Sequence, residues 1–414
     1  MTAWRKGVNP CDLLERLSES RTINLDGSVS TLEFGSSEEW QALLETYIVD
    51  KSVSIAVKKE AIRKANHKAQ DHTPTEFLRF YQEGRTEILR HKCQYIVAFP
   101  VWGRTKFLGD IAVDEETGAR IEHELDQEIE RTILRERSDQ RAESQELFHT
   151  AYFGCESYDI CYIQTEAHSE DDAFGKAYDL LRRVIAAISL VDGHIRWAIG
   201  GPRHPVASPL IAPQITVHMM NGKLAAERFW HTEWTPKARL ITQPHDDRCN
   251  RVTKAVQKLL SAAQSSKWPK RCETALLLYY DAFSEHQVSN TVLGAWRLLE
   301  FVAGEPDVKS DVLIKRASYL MEDTFEMQYL GVHVRERRNA LRHGREAIGG
   351  IEDCLAWQCQ KLVNPISRHF IMNPFGFEKV EEFWHFLDMP TSAEGIRSKE
   401  RVHAAAQKFR GSAT

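Results

Sequence analysis

Apolar residues recur at helical spacing through most of the second half of the chain. Between residues 248 and 387 they return every three or four positions, with short polar breaks between the runs. This pattern predicts an all-α bundle. The predicted helices span residues 248–263, 269–284, 288–303, 308–322, 325–348 and 352–370.

The first 245 residues mix strand and helix patterns. The pattern before residue 35 predicts irregular chain with short polar strands, and a serine cap predicts that a helix begins at Ser36. Short apolar runs predict strands at residues 95–102, 159–165, 195–199 and 214–220. Helical spacing predicts further helices at residues 53–69, 115–146 and 173–190.

Two of these helices carry many charges. The 115–146 stretch mixes both signs, which is typical of a solvated or inter-domain helix, and an RNA-binding arm is the alternative. The 53–69 helix is rich in lysine, and an ordinary amphipathic surface helix is favoured there over an RNA grip.

The change of pattern near residue 245 predicts the domain organisation. An α+β region covers residues 1–245, a helical domain covers residues 246–387, and a loose basic tail covers residues 388–414. The tail owes its charge to Arg397, Lys399, Arg401, Lys408 and Arg410.

Composition narrows the classes of function. With 54 basic and 59 acidic residues the net charge is −5, so binding to nucleic acid needs a local basic surface. The polar first residues and the lack of a long apolar run predict a cytoplasmic protein without a membrane span. The spacing of the eight cysteines fits reduced, mostly buried thiols.

Motifs for metals and cofactors are missing from the sequence. No glycine-rich phosphate loop with a lysine, paired-histidine zinc helix or calcium loop occurs, so we expect neither metal nor cofactor. His245, Asp246 and Asp247 could ligate a metal, but a helix-capping loop is the favoured interpretation of that triplet.

The stretch from residue 335 to residue 346 has one strongly basic face. Arginines spaced three or four apart on a helix repel one another unless an anion lies between them, so the face predicts phosphate binding. The alternative is a charged, exposed face beside an acidic partner helix. The polar face holds Arg335, Arg338, Asn339, Arg342, His343, Arg345 and Glu346.

His343 adds proton-transfer chemistry to that basic face, because imidazole gains and loses a proton near neutral pH. RNA carries its own nucleophile, the 2′-hydroxyl, so its cleavage needs only a base, an acid and positive charge at the phosphate. Arg338 and His343 lie about 140° apart on an ideal helix. They can therefore converge through the reach of the arginine or across a symmetric dimer.

The segment from Arg338 to Gly344 resembles the Arg-Asn-x-x-x-His motif of HEPN-domain ribonucleases. Residues 275–282 and 295–300 are similar to the paired helices of the Apea-like branch, in which Glu300 takes the acidic position. The resemblance covers residues 245–385. It implies a HEPN-like bundle acting as a dimeric, metal-independent endoribonuclease that leaves 2′,3′-cyclic phosphate ends.

The resemblance also implies roles for single residues. Arg338 would hold the scissile phosphate and His343 would be the general acid or base. Asn339 would orient the histidine or the phosphate, and Glu300 would support the site, although a surface ion pair is an equal interpretation of Glu300. The other arginines of the face, Arg335, Arg342 and Arg345, are expected to bind RNA.

The biological setting follows from the resemblance and the architecture. Such enzymes are frequent in bacterial antiviral defence, abortive infection and toxin systems, with tRNA or other cellular RNA as the target. Residues 1–245 would then sense a trigger, such as a phage product, and restrain the nuclease. Two alternatives stay open: a non-catalytic module that binds RNA or a nucleotide, and an adaptor that docks an acidic protein.

Overall fold

The structure is a computed structural model of the chain. It describes residues 2–7, 9–19, 21–23, 29–31, 34–68, 73–102, 108, 113–114, 119–122, 125–148, 159–200, 205–226, 229–230, 246–305, 307–344 and 353–411.

Four helices pack together at the N-terminus. They are α1 (Pro10–Glu19), α2 (Phe34–Tyr47), α3 (Ile55–Lys68) and α4 (Pro74–Arg90). Their apolar faces share a core that includes Leu14, Leu44, Ala61 and Phe77. The sequence predicted α2 and α3, but it placed irregular chain where α1 lies and gave no element for α4.

Short strands border these helices. Strand β1 (Ala3–Trp4) pairs with β4 (Ile48–Val49), and β2 (Arg21–Ile23) pairs with β3 (Val29–Thr31). Helix α4 begins where the hydroxyl of Thr73 accepts the Glu76 N–H at 3.3 Å, with Pro74 in the first turn.

An antiparallel sheet follows along the chain, with the long strand β5 (Cys93–Trp102) at its centre. Strand β8 (Asp159–Ala167) pairs along one side of β5, and β10 (Thr216–Met219) and β9 (Leu210–Ile211) pair along the other. Beyond β8 lie β7 (Ala119–Glu122) and β6 (Val113–Asp114). Strand β5 is apolar throughout its middle because both of its faces are covered.

Helices cover the two faces of this sheet. The side chains of Ile96 and Ala98 share a small core with Ile133 of α5 (Gln127–Phe148). Their neighbours Val97 and Phe99 point the opposite way and join the core that contains α6 (Glu170–Gly200).

The second half of the chain is a helical bundle. Helices α8 and α9 approach each other closely, because a Cβ on Gly294 would lie 2.9 Å from the Ala282 Cα. Large buried side chains, among them Trp296, Phe283 and Phe370, fill its core. The helices are α7 (Asp246–Ser265), α8 (Pro269–Phe283), α9 (Val288–Ala303), α10 (Ser310–Tyr319), α11 (Thr324–Arg342), α12 (Asp353–Met372) and α13 (Val380–Leu387).

Helix α6 belongs to the core of both halves. On its bundle side, Arg182 pairs with Asp281 of α8, and the Gln360 Nε2 group of α12 donates to the Ser189 carbonyl at 3.4 Å. One continuous apolar cluster therefore runs from the sheet through α6 into the bundle. The division at residue 245 stays a prediction, but the core is not divided there.

The coarse fold class is confirmed: an α+β first half precedes a helical second half. Two further predictions in the first half of the chain are wrong. Residues 119–122 form β7 rather than helix, because buried Ala119 and Ile121 alternate with Arg120 and Glu122 at strand spacing. Residues 195–199 continue α6 rather than forming a strand, since that helix runs through Gly193 to Gly200.

The basic tail is helical. Residues Ala393–Gly411 form helix α14, which has no buried residue. Its first turn is capped by the Ser392 hydroxyl, which accepts the Gly395 N–H at 3.1 Å. The tail contains alanine, lysine, arginine and glutamine, which are good helix formers, so local propensity accounts for the helix.

No cysteine in the described part of the chain is paired in a disulfide. Cys161, Cys249, Cys272 and Cys359 are buried, whereas Cys11, Cys93 and Cys354 are exposed. Burial raises the pKa of Cys161 and of Cys359 to about 12. These buried thiols therefore stay protonated and unreactive at neutral pH. Within the described part of the chain, no helix is both long and apolar enough to cross a membrane.

Candidate active site

Helix α11 carries the basic face and ends earlier than its pattern predicts. The Asp323 carboxylate accepts the Glu326 N–H at 2.8 Å and starts the helix. At the other end, the His343 N–H still reaches the Asn339 carbonyl at 3.1 Å. Gly344 then adopts φ +63°, a left-handed conformation that ends the helix.

The prediction that this helix continues through His343 and Gly344 is therefore wrong, and residues 345–348 of the predicted helix lie outside the described residues. Arg342 is its last residue and His343 is the residue that caps it. The imidazole is thus attached to the exposed end of the helix and not to its side. Arg345 and Glu346 lie outside the described residues.

Arg338 is anchored against helix α9. Its Nη2 lies 3.3 Å from Glu300 Oε1, and its Nη1 donates to the Asn339 side-chain oxygen at 3.1 Å. The guanidinium carbon lies 5.6 Å from the centre of the Trp296 ring, within the range of a cation–π contact. The Arg338 side chain is 18% exposed, so solvent still reaches it.

Glu300 is itself held in place by the bundle core. The indole Nε1 of Trp296, a residue only 2% exposed, donates to Glu300 Oε1 at 2.8 Å. Neither the sequence pattern nor the resemblance predicts a role of its own for Trp296. The signal that could have found it is the spacing of four between Trp296 and Glu300, which places both on one face of α9.

Asn339 acts on the arginine in this structure. Its side-chain oxygen accepts from Arg338, and its backbone carbonyl accepts the His343 N–H. No described contact joins the Asn339 side chain to His343, so its expected role in orienting the histidine stays a prediction. Its contact with Arg338 restricts the guanidinium from a second side.

Part of the basic face is neutralised by acidic neighbours. Arg335 pairs with Asp311 of α10 and with Glu336 on its own helix, and Arg338 pairs with Glu300 of α9. The alternative of a charged face beside acidic partner helices therefore describes Arg335 and Arg338. For Arg335 in particular, RNA would have to compete with two carboxylates.

Arg342 and His343 differ from those two arginines. Both are exposed, and within the described ranges no carboxylate pairs with either side chain. Arg338 and His343 are five residues apart, about 7.5 Å along the helix axis. Among the described contacts none joins their side chains, so one chain does not bring the two into direct contact.

No group of three or more histidine, cysteine, aspartate or glutamate side chains that could hold a metal ion occurs in the ranges that the structure describes. Comparison with family models, with curated proteins and with solved structures finds no match for this chain. The resemblance to HEPN ribonucleases accordingly stays a prediction based on the motif residues.

Proposed function

We propose that this chain is a metal-independent endoribonuclease with a HEPN-like site on α11. The observation that carries the proposal is the pre-positioned Arg338 on the same helix end as an exposed histidine. Arg338 is held by Glu300, Asn339 and Trp296, and His343 follows it within two turns. RNA supplies the nucleophile, so these groups match what the reaction needs.

Arg338 would stabilise the negative charge that develops on the phosphate. A guanidinium has five N–H donors, and the described residues engage two of them, one through Glu300 and one through Asn339. The others remain for phosphate oxygens. Because Glu300 offsets part of the charge, the exposed Arg342 would add attraction for the RNA backbone.

His343 would transfer the protons. In the first half of the reaction the 2′-hydroxyl loses its proton to a base, and the O2′–P bond forms. The P–O5′ bond then breaks, and the 5′ oxygen takes a proton from an acid. One imidazole serves one of these roles at a time. A homodimer that brings His343 of the partner subunit to the same phosphate would supply both.

The biological role belongs to the same proposal. Cleavage of tRNA or another cellular RNA would arrest the host cell, which suits abortive infection or a toxin. Residues 1–245 would restrain the site until a trigger, such as a phage product, binds. Support comes from α6, because a change in the sheet has a direct packing path to the bundle.

The test is induction of the protein in a bacterial host, with and without phage infection, followed by sequencing of RNA ends. We expect wild type to produce 2′,3′-cyclic phosphate ends and His343→Ala to reduce them about 100-fold or more. Arg338→Ala should weaken both binding and cleavage. His333→Ala is the matched control, because His333 is another exposed histidine of α11.

Other results would overturn the proposal. Cleavage that survives His343→Ala removes the histidine from the chemistry. RNA binding that depends on salt and on Arg338, without any new RNA ends under either condition, indicates a non-catalytic module. Absence of RNA affinity together with co-purification of an acidic protein indicates the adaptor.

A further inference from the structure

A second feature of the bundle is a cavity of about 940 Å³ beside helix α11. It lies between the first half of α11 and the length of α12, and Leu190 of α6 contributes to its wall. Arg338 and His343 do not line it. Its volume is in the range of pockets that bury most of a drug-sized ligand.

The wall of the cavity is largely apolar. Leu190, Met321, Leu330 and Met372 contribute aliphatic and thioether surface, and Trp357 contributes an indole. Trp357 is only 5% exposed, so the cavity reaches a well-buried part of the bundle. A flexible thioether and a flat indole suit an apolar, ring-containing body.

The polar groups of the cavity are mainly cations and hydrogen-bond donors. Lys361 is neutralised by Glu326, at 2.7 Å between Nζ and Oε1. Arg368 is exposed and pairs with no carboxylate among the described residues. Arg368 thus places one positive charge at the cavity that no carboxylate of the described residues neutralises.

Two further groups point to an acceptor on the ligand. The Asn364 side-chain oxygen already accepts from the Tyr279 hydroxyl at 2.7 Å, so its amide N–H groups are the part left for a ligand. His369 Nδ1 donates to the Pro365 carbonyl at 2.9 Å, which leaves Nε2 for another partner. Buried Gln360 is engaged by Tyr279 and Ser189 and adds no free donor.

We propose that this cavity binds a small molecule with an apolar, ring-containing body and a single anionic group. The body lies against Trp357, Leu330 and Met372. The anion meets the Arg368 guanidinium and the Asn364 amide. An occupant would also contact α11 through Leu330, but the binding claim is independent of any RNA cleavage.

The experiment measures binding of 8-anilino-1-naphthalenesulfonate to the full chain by calorimetry and fluorescence. N-phenyl-1-naphthylamine, which has the same rings without the sulfonate, is the neutral counterpart. We expect one sulfonate probe per chain, weakened about tenfold by Arg368→Ala, with the neutral probe changed less than twofold. Leu330→Trp should fill the cavity and weaken both probes. Arg397→Ala on α14 is the control and should change neither.

Several results would overturn this proposal. Non-saturating binding, or equal affinity of wild type and Arg368→Ala for the sulfonate, shows that no anion site exists there. Probe affinity that falls as protein concentration rises, together with dimer formation, assigns the cavity to an interface between copies. Because Arg368→Ala alters an exposed side chain, its result stands even if Leu330→Trp fails to fold, as judged by circular dichroism.

Discussion

Asp50 is a buried carboxylate at the centre of a polar cluster in the N-terminal helices. It accepts from Arg85 Nη1 at 2.9 Å, from the Tyr81 hydroxyl at 3.1 Å and from the Ser52 N–H at 3.0 Å. Burial alone would raise the pKa of Asp50, but the hydrogen bonds from Ser52, Arg85 and Tyr81 outweigh it and hold the pKa well below its usual value.

This cluster predicts how stability depends on pH. Because the pKa of Asp50 is lower in the folded chain than in the unfolded chain, the ionised carboxylate stabilises the fold above about pH 4. That contribution is lost as pH falls through the folded pKa. Asp50→Asn should lower the free energy of unfolding by about 2 kcal/mol at pH 7, less than for a fully buried pair because Arg85 is partly exposed.

Urea unfolding at several pH values checks this prediction. The difference between wild type and Asp50→Asn should be equal at pH 7 and pH 5, and it should shrink below about pH 4. Asp12→Asn, at an exposed aspartate of α1, is the control and should change stability by less than about 0.5 kcal/mol. A difference that does not change down to pH 3 would contradict the assignment.

At the candidate site, the residue types were predictable and their partners were not. The motif identified Arg338, Asn339 and His343, and the resemblance identified Glu300. The sequence could not show that α10 would bring Asp311 to Arg335, because the two residues are 24 positions apart and meet only through tertiary packing. The sequence pattern also placed His343 on the side of a continuing helix. In the structure the helix ends at Arg342, because Gly344 adopts a left-handed conformation.

Among the elements, the α8–α9 pair depends on a glycine for its close approach. A Cβ on Gly294 would lie 2.9 Å from the Ala282 Cα and 3.1 Å from its Cβ, and a backbone atom cannot move aside. Gly294→Ala should therefore lower the free energy of unfolding by about 1–3 kcal/mol.

The matched control for that change is Gly175→Ala in α6. A Cβ there would meet nothing within 4 Å, so alanine should raise stability by about 0.5–1 kcal/mol through lower backbone entropy of the unfolded chain. Thermal melts of the two variants against wild type measure the contrast. Equal effects of the same sign would show that the helices are not packed this tightly.

Elements with a strong periodic pattern were predicted well, and those set by long-range pairing were not. Helix α9 spans the predicted residues 288–303, and β8 begins at the predicted residue. Strand β7 was missed because its four residues gain their pairing from β8, more than 35 positions later. The prediction ended the long α6 at residue 190 and placed a strand at residues 195–199, whereas the helix continues through Gly193, where the lack of a side chain lets Gln360 approach.

At the scale of the whole molecule, the sheet and the bundle share a core through α6. We therefore expect that the bundle does not fold without α6. A fragment of residues 246–411 would lack α6, whose Arg182, Ser189 and Asp192 contact α8, α12 and α7. The buried faces of those helices would be open to water. We expect this fragment to retain helix but to lose cooperative unfolding and the near-ultraviolet circular dichroism of its buried tryptophans.

The measurement compares the unfolding transition and the near-ultraviolet circular dichroism of the fragment with those of the full chain under the same conditions. A fragment with a sharp unfolding transition and the near-ultraviolet spectrum of the full chain would show that the bundle is an independent domain beginning near residue 246. That outcome would support the boundary taken from the sequence pattern, and it would assign α6 to the sheet alone.

Helix α6 also imposes an order of events during synthesis. It is complete at Gly200, but the last helix that covers its bundle side, α12, ends at Met372, about 170 residues later. At the usual bacterial rate of about 5–20 residues per second, the gap lasts roughly 10–35 s. During that interval α7 and α8 cover only part of the bundle side of α6. We therefore expect chaperones that act on unfinished chains to bind the apolar surface that α12 covers last.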